Sequence, residues 1–168
     1  MEKTLIIFKP DAVQRGLVGE ILSRFEKVGL KIVAMKMLLP TDQQLHGHYE
    51  GIGGLITRKG DEIYNITASM MKSGPVIAAV LEGVESIEQV RKMVGPTEPK
   101  SAAPGTIRGD YAHMSYKHSD KIRFGLPNLL HASADAGEGA KEIAFWFTTE
   151  ELHAYGTVHD VYTQPPIK

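Results

Sequence analysis

Residues 4–28, TLIIFKPDAVQRGLVGEILSRFEKV, set the architecture of this chain. Thr4 to Phe8 is a run of β-favouring residues closed by Lys9-Pro10-Asp11, which predicts a buried strand running into a turn. Beyond the turn, Val18, Ile21, Leu22, Phe25 and Val28 recur at helical spacing. Gly29 stands where the C-terminal cap of that helix belongs. A strand handing over to an amphipathic helix is the first unit of an alternating pattern.

The alternation continues along the chain. Lys31 to Leu39, with β-branched Ile32 and Val33, predicts a second strand. Thr41 is placed to cap a helix through about Tyr49, with Gln44 completing a capping box. Gly51 to Gly60 is dense in glycine and reads as an exposed loop. Ser73-Gly74-Pro75 is a turn into Val76 to Leu81, a continuous apolar run of the central-strand kind. Ser86-Ile87-Glu88-Gln89 reads as a second capping box, opening a helix to about Val94 that Gly95-Pro96 stops. Glu98 to Gly105 is a Pro- and Ala-rich loop, and polar Asp110 to Gly125 gives the weakest signal. A last helix runs from about Gly137 to Phe147, with Ile143, Trp146 and Phe147 on its apolar side. Strands and helices in this order predict α/β or α+β layers, with helices covering one sheet. One domain spans 1–168.

The 168 residues are 42% hydrophobic and 23% charged, ordinary for a globular protein with a real core. A formal net charge of −1 gives no support for nucleic-acid binding through bulk basic charge. No apolar run approaches the roughly 20 residues of a membrane span, and the apolar part of MEKTLIIFKPD is too short for a signal-peptide core. The absence of cysteine excludes disulfides, thiolate catalysis and cysteine-based metal sites. A cytoplasmic protein is the expectation.

Neither familiar phosphate cradle, G-x-x-x-x-G-K-[ST] or G-x-G-x-x-G after a strand, is present. Cations do sit at backbone punctuation: Lys9 in KPD, Arg91 before Gly95, and Arg108 in PGTIRGD. A half-buried cation at such a place needs an anion, either a ligand or an internal carboxylate such as Asp11 or Asp110. His131 lies in Asn128-Leu129-Leu130-His131-Ala132-Ser133, with leucines before it and small residues after. Read locally, it is a packing histidine or an open nucleophile. The remaining histidines read as surface or packing residues. His46 and His48 point to different helix faces, which argues against a metal pair there.

Taken together, these segments resemble a known family. Phe8 to Glu20 (FKPDAVQRGLVGE), Ser73-Gly74-Pro75-Val76, Pro104 to Asp110 (PGTIRGD), Asn128 to Ser133 and Glu142 to Phe147 (EIAFWF) occur in the order found in nucleoside diphosphate kinases. The match runs from Thr4 to about Leu152. The resemblance implies a ferredoxin-like α/β sandwich, an antiparallel sheet covered on one face by helices. It also implies a homo-oligomer, with the hexamer favoured and Pro99 in a loop that lines subunit contacts. The implied substrates are nucleoside triphosphates and diphosphates, with Mg2+ arriving on the nucleotide and no dedicated metal site.

The resemblance also assigns roles. His131 would carry the phosphoryl group, with Glu142 orienting its imidazole, Tyr49 beside it and Ser133 near the phosphate or the glutamate. Lys9 and Asn128 would meet the ribose hydroxyls, with Lys9 also near the phosphates, and Arg91, Thr97 and Arg108 would take the phosphate oxygens. Phosphoryl transfer is mostly positioning and charge neutralisation, which such a cation set supplies without a Walker loop. The chain departs from the pattern at Ala134, at Pro96 before Thr97, and at Ile63-Tyr64, where an aromatic clamp on the base is expected; Tyr64 is the candidate for stacking. Extra residues fall within Glu50 to Glu62 and within His113 to Pro127, where they would alter base access or subunit contacts. These departures keep open a weakened nucleotide-binding or scaffold member of the same fold. A regulatory ligand-binding domain of like architecture would explain the layers but not the His131 constellation.

Overall fold

Leu5, Ile6, Ile7 and Phe8 are all fully buried in strand β1 (Glu2–Phe8), which is why the run shows no alternation. The structure, a computed structural model, describes residues 1–164. In chain order there follow α1 (Pro10–Gln14), α2 (Val18–Lys27), β2 (Lys31–Leu38), α3 (Asp42–His46), a π-helical turn over Gly47–Ile52, α4 (Leu55–Lys59) and α5 (Asp61–Met71). Next come β3 (Val76–Gly83), α6 (Ser86–Val94), α7 (Ile107–Tyr111), α8 (Tyr116–Ile122), β4 (Leu130–Ala132), α9 (Ala136–Trp146) and α10 (Asp160–Thr163). Among the described residues no helix is long and apolar enough to cross a membrane.

The strands form one antiparallel sheet in the order β2-β3-β1-β4. Because side chains alternate across a strand, Ile6 and Phe8 enter one apolar cluster while Leu5 and Ile7 enter another. The first cluster is closed by Ile21 and Phe25 of α2, Val90 and Val94 of α6, and Ile107 of α7. Leu45 of α3, Met71 of α5 and Trp146 of α9 close the second. Helices therefore cover both faces of the sheet, not one as the resemblance suggested. Each fully buried Leu, Ile or Phe contributes roughly 1.5–3 kcal/mol.

The local capping signals match the structure at some helix ends and not at others. Thr41 and Gln44 form a reciprocal capping box on α3. Ser86 forms no such box: its hydroxyl donates to the Glu2 carbonyl, and the Ile87 N–H is taken by the Glu2 carboxylate. The start of α6 is thus capped from strand β1, by a residue distant in sequence. Residues Gly51 to Gly60 are largely helical rather than loop, forming the end of the π-helical turn and α4, and α8 lies in the weak-signal segment.

Candidate active site

Strand β4 lies beside β1 with His131 opposite Ile7, so the histidine is fixed by the sheet and its side chain meets the middle of α9. Asp135 caps that helix, accepting from the Glu138 N–H, and Glu142 stands on its buried side. His131 Nε2 is 2.6 Å from Glu142 Oε1. The other Glu142 oxygen accepts the Ser133 hydroxyl at 2.6 Å, and Ser133 Oγ in turn accepts the Leu5 N–H at 3.1 Å. Donors therefore converge on a buried carboxylate, from the β1 backbone through the Ser133 hydroxyl on one oxygen and from the imidazole on the other. With Nε2 donating to Glu142, Nδ1 keeps its lone pair. Burial, with Lys9 the largest of the neighbouring cations, holds the imidazole pKa well below its ordinary 6.5, so the ring is neutral near pH 7. Burial raises the Glu142 carboxyl, partly offset by the Ser133 hydrogen bond.

Lys9 caps α1 and its backbone N–H donates to the Leu129 carbonyl at 2.8 Å. Its ammonium is buried, and among the described residues it has no carboxylate within salt-bridge distance. Burial and the Arg108 charge push its pKa down to about 8. Arg108, also buried, donates to the carbonyls of Asn128, Gly95 and Leu130 at 3.1, 2.9 and 2.6 Å, and burial lowers its pKa to about 10. This guanidinium braces the loops around the site as well as charging it. Asn128 gives its amide N–H to the Thr97 carbonyl, while its Oδ1 is buried and unpartnered. Arg91 reaches the Ser133 carbonyl at 3.5 Å. Leu129, between Asn128 and β4, has φ +74°, a left-handed conformation held by the Asp11 carboxylate on its N–H and by Lys9 on its carbonyl. Strain of this kind persists only where the surroundings enforce it.

Two cavities meet at His131. One, about 210 Å³, is lined by Arg91, Thr97, Arg108, Lys9, Tyr49 and Asn128. The other, about 500 Å³, shares Lys9, Tyr49, Thr97, Asn128 and His131 and extends outward between α4, α5 and α8. Nine of the ten sequence-derived site residues thus line these cavities or, for Ser133, brace a residue that does. Tyr64 is the exception. On α5 the cavity-facing positions are Ile63, Ile66, Thr67 and Met70, at helical spacing. Tyr64 is turned away into the second core cluster, with its ring 5.8 Å from His46.

His48 went unrecognised in the sequence. The wide π-helical turn, a feature that often marks functional positions, aims its ring at His131 with centroids 4.6 Å apart. Trp146 Nε1 donates to His48 Nδ1 at 3.3 Å, and burial lowers the His48 pKa to about 3. Tyr49 follows, its hydroxyl buried without a partner and its pKa raised by burial. His48, His131 and Glu142 bring three potential metal donors within 4.8 Å. The hydrogen bonds from Trp146 and to Glu142 already engage these atoms, so the group reads as a hydrogen-bonded cluster supporting the imidazole.

A cation-rich corner beside an oriented, neutral imidazole is the equipment of a phosphotransferase. A family model described as nucleoside diphosphate kinase matches residues 2–152. A nucleoside diphosphate kinase from Borreliella burgdorferi is 45% identical over 155 residues, 92% of each chain. Among solved structures, a transition state mimic of the Borrelia burgdorferi nucleoside-diphosphate kinase with bound vanadate and ADP superposes with a TM-score of 0.92 at 43% identity, covering 96% of both chains. A Halobacterium salinarum nucleoside diphosphate kinase in complex with CDP gives 0.82 at 36% identity, covering 98% of this chain and 99% of that one. The chain belongs to the nucleoside diphosphate kinase family, and it is an enzyme of that phosphotransferase class.

Proposed function

We propose that the chain transfers the γ-phosphoryl group of a nucleoside triphosphate, typically ATP, to nucleoside diphosphates by a ping-pong mechanism through phosphohistidine at His131. The 2.6 Å contact between His131 Nε2 and buried Glu142 carries this reading. It fixes the tautomer in which Nδ1 holds the lone pair and supports the cationic phosphoimidazole, the logic of a carboxylate-oriented histidine. Nδ1 forms a bond to the γ-phosphorus while the bond to the β,γ-bridging oxygen breaks, and the electron pair leaves on the nucleoside diphosphate. A second diphosphate then reverses the step through its terminal oxygen. Lys9, Arg91 and Arg108 neutralise the spreading charge, Thr97 completes the phosphate side, and Lys9 with Asn128 takes the ribose hydroxyls.

The donor set fits magnesium carried on the nucleotide. The phosphate corner is lined by cations rather than by a ring of carboxylates, so the ion would keep its waters and bind chiefly through phosphate oxygens. When bound, it shields phosphate charge. We further infer a homo-oligomer, with the hexamer favoured, and a cytoplasmic setting. The edge strand β2 exposes Met35 and Met37, a surface suited to covering by another copy. Light scattering tests the assembly.

Incubation with γ-labelled ATP should yield an acid-labile, base-stable phosphoprotein, and His131→Ala should abolish both labelling and exchange. Labelling and exchange that survive in His131→Ala would sink the mechanism.

A further inference from the structure

The loop that carries Thr97, residues 95–99, has little means of holding itself in place. Pro96 and Pro99 have no amide N–H to give, and Gly95 ends α6 in the left-handed region at φ +84°. Three side chains grip the loop from outside instead. Arg108 donates to the Gly95 carbonyl at 2.9 Å, and the Asn128 amide donates to the Thr97 carbonyl at 2.8 Å. The third grip is the loop's own Glu98, whose Oε1 accepts the Tyr116 N–H at 2.9 Å. Arg108 and Asn128 both line the cavities at His131, whereas Glu98 lines neither.

Tyr116 opens α8, and its N–H is one of those that a helix start leaves without an internal partner. The first turn of α8 carries no acid, so the Glu98 carboxylate supplies the acceptor and the negative charge from across the fold. The other Glu98 oxygen accepts the Ser101 hydroxyl at 2.5 Å, and that bond, with the Tyr116 amide, lowers the carboxyl pKa. A second rung lies alongside, from the Lys100 N–H to the Met114 carbonyl at 3.0 Å. Met114 closely follows α7, whose Ile107 and Arg108 are buried. Glu98 therefore fastens to chain that is footed in the core, where it leaves α7.

We propose that Glu98 is a positioning residue. It clips the Thr97 loop to the chain leaving α7 and so holds Thr97 at a set distance from Arg108 across the phosphate corner. This rests on the reading of that corner as the phosphate site, and adds to it a carboxylate that touches no ligand. The extra residues within His113 to Pro127 thereby gain a use at the inner end of the cavity, because Tyr116 is one of them. Affinity for the phosphates comes chiefly from Lys9, Arg91 and Arg108, whereas the aim of Thr97 counts most when charge spreads in the transition state. The clip thus governs rate more than binding.

Single-turnover labelling of His131 by γ-labelled ATP yields a maximal rate and a half-saturating ATP concentration. Glu98→Ala should lower the maximal rate on the order of 10-fold and move the half-saturating concentration by less than about threefold. Glu98→Gln, whose amide oxygen still accepts the Tyr116 N–H, should recover most of the rate. Tyr116→Pro removes only that N–H from the backbone, at a first helical position where proline fits and after an extended Ser115. It should label more slowly than Tyr116→Ala, which loses the same ring but keeps the amide. In a Thr97→Ala background, Glu98→Ala should cost nothing further, as expected of two residues acting as one unit. Additive losses in the double variant overturn the assignment. So do a parental rate in Glu98→Ala, a change confined to the half-saturating concentration, or equal rates in Tyr116→Pro and Tyr116→Ala. A wild-type chain that takes no label overturns the phosphotransferase reading and the clip with it, whereas a labelled wild type with a parental Glu98→Ala overturns the clip alone.

Discussion

The two ends of the large cavity are built in different ways. At the inner end, Glu142 is fixed through both oxygens, Ser133 through donor and acceptor, and His48 through Trp146, all in the buried interior. At the outer end, the walls are joined by the solvent-exposed pair Glu62–Arg123, by Lys59 over Tyr116, and by the close approach of Gly125 to α5. Buried hydrogen bonds without solvent competition hold atoms to a fraction of an ångström, which a reacting centre requires. Screened surface pairs contribute little and rearrange readily. The inner end is therefore built for one geometry, whereas the outer end is free to rearrange.

Four measurements test that contrast, in decreasing order of expected effect. Glu142→Gln keeps shape but removes the charge that orients His131, and should lower kcat on the order of 10²-fold or more. A kcat within a few-fold of the parent would show the inner chain to be structural only. Lys9→Met should weaken nucleotide binding about 10- to 100-fold through loss of a buried charged contact, yet raise the denaturant midpoint of the free protein by removing an unpaired buried cation. Because Lys9 titrates near pH 8 when folded and 10.5 when unfolded, the unfolded chain binds the extra proton in between. Stability of the free protein should therefore rise from pH 8 to 10.5, while nucleotide affinity falls above pH 8 and binding near pH 8.5 takes up protons. Calorimetry in buffers of different ionisation enthalpy detects that uptake.

The third measurement concerns His48, whose pKa is about 3 when folded against 6.5 unfolded. The unfolded state again holds more protons, so stability should decline as pH falls below 6.5, by about 2 kcal/mol at pH 5 from this one group. His48→Gln should flatten the decline, read by the emission of Trp146 during urea unfolding. The smallest effect is expected at the outer end. Glu62→Gln should change ADP affinity by no more than about fivefold, and less at high salt. A larger, salt-independent loss would mean that the outer wall is as rigid as the inner one.

Much of this arrangement is written in local sequence. The unbroken apolar runs at residues 5–8 and from Val76 to Leu81 announce central strands, and the spacing in α2 and α9 announces helices. The same unbroken runs imply cover on both faces of the sheet, which the expectation of a single covered face overlooked. On α5 the cavity face is formed by Ile63, Ile66, Thr67 and Met70, a helical spacing that the aromatic character of Tyr64 does not reveal. His48 could not be paired with His131 from spacing, because an extra-wide turn and a contact across the fold bring them together. Nor could the cap on α6, since Glu2 reaches it from more than eighty residues away. Local periodicity fixes elements, whereas the partners of polar groups depend on the tertiary fold.

That cap has a practical reach. Arg91 sits on α6, the helix whose first turn is anchored by the backbone and side chain of the second residue in the chain. Trimming Glu2, or replacing it while appending an affinity tag, would let the first turn of that helix fray. The guanidinium farther along the same helix would then be aimed less firmly. Changes at Glu2 would thus reach the site at a distance, and preparations that differ there are to be compared with that in mind.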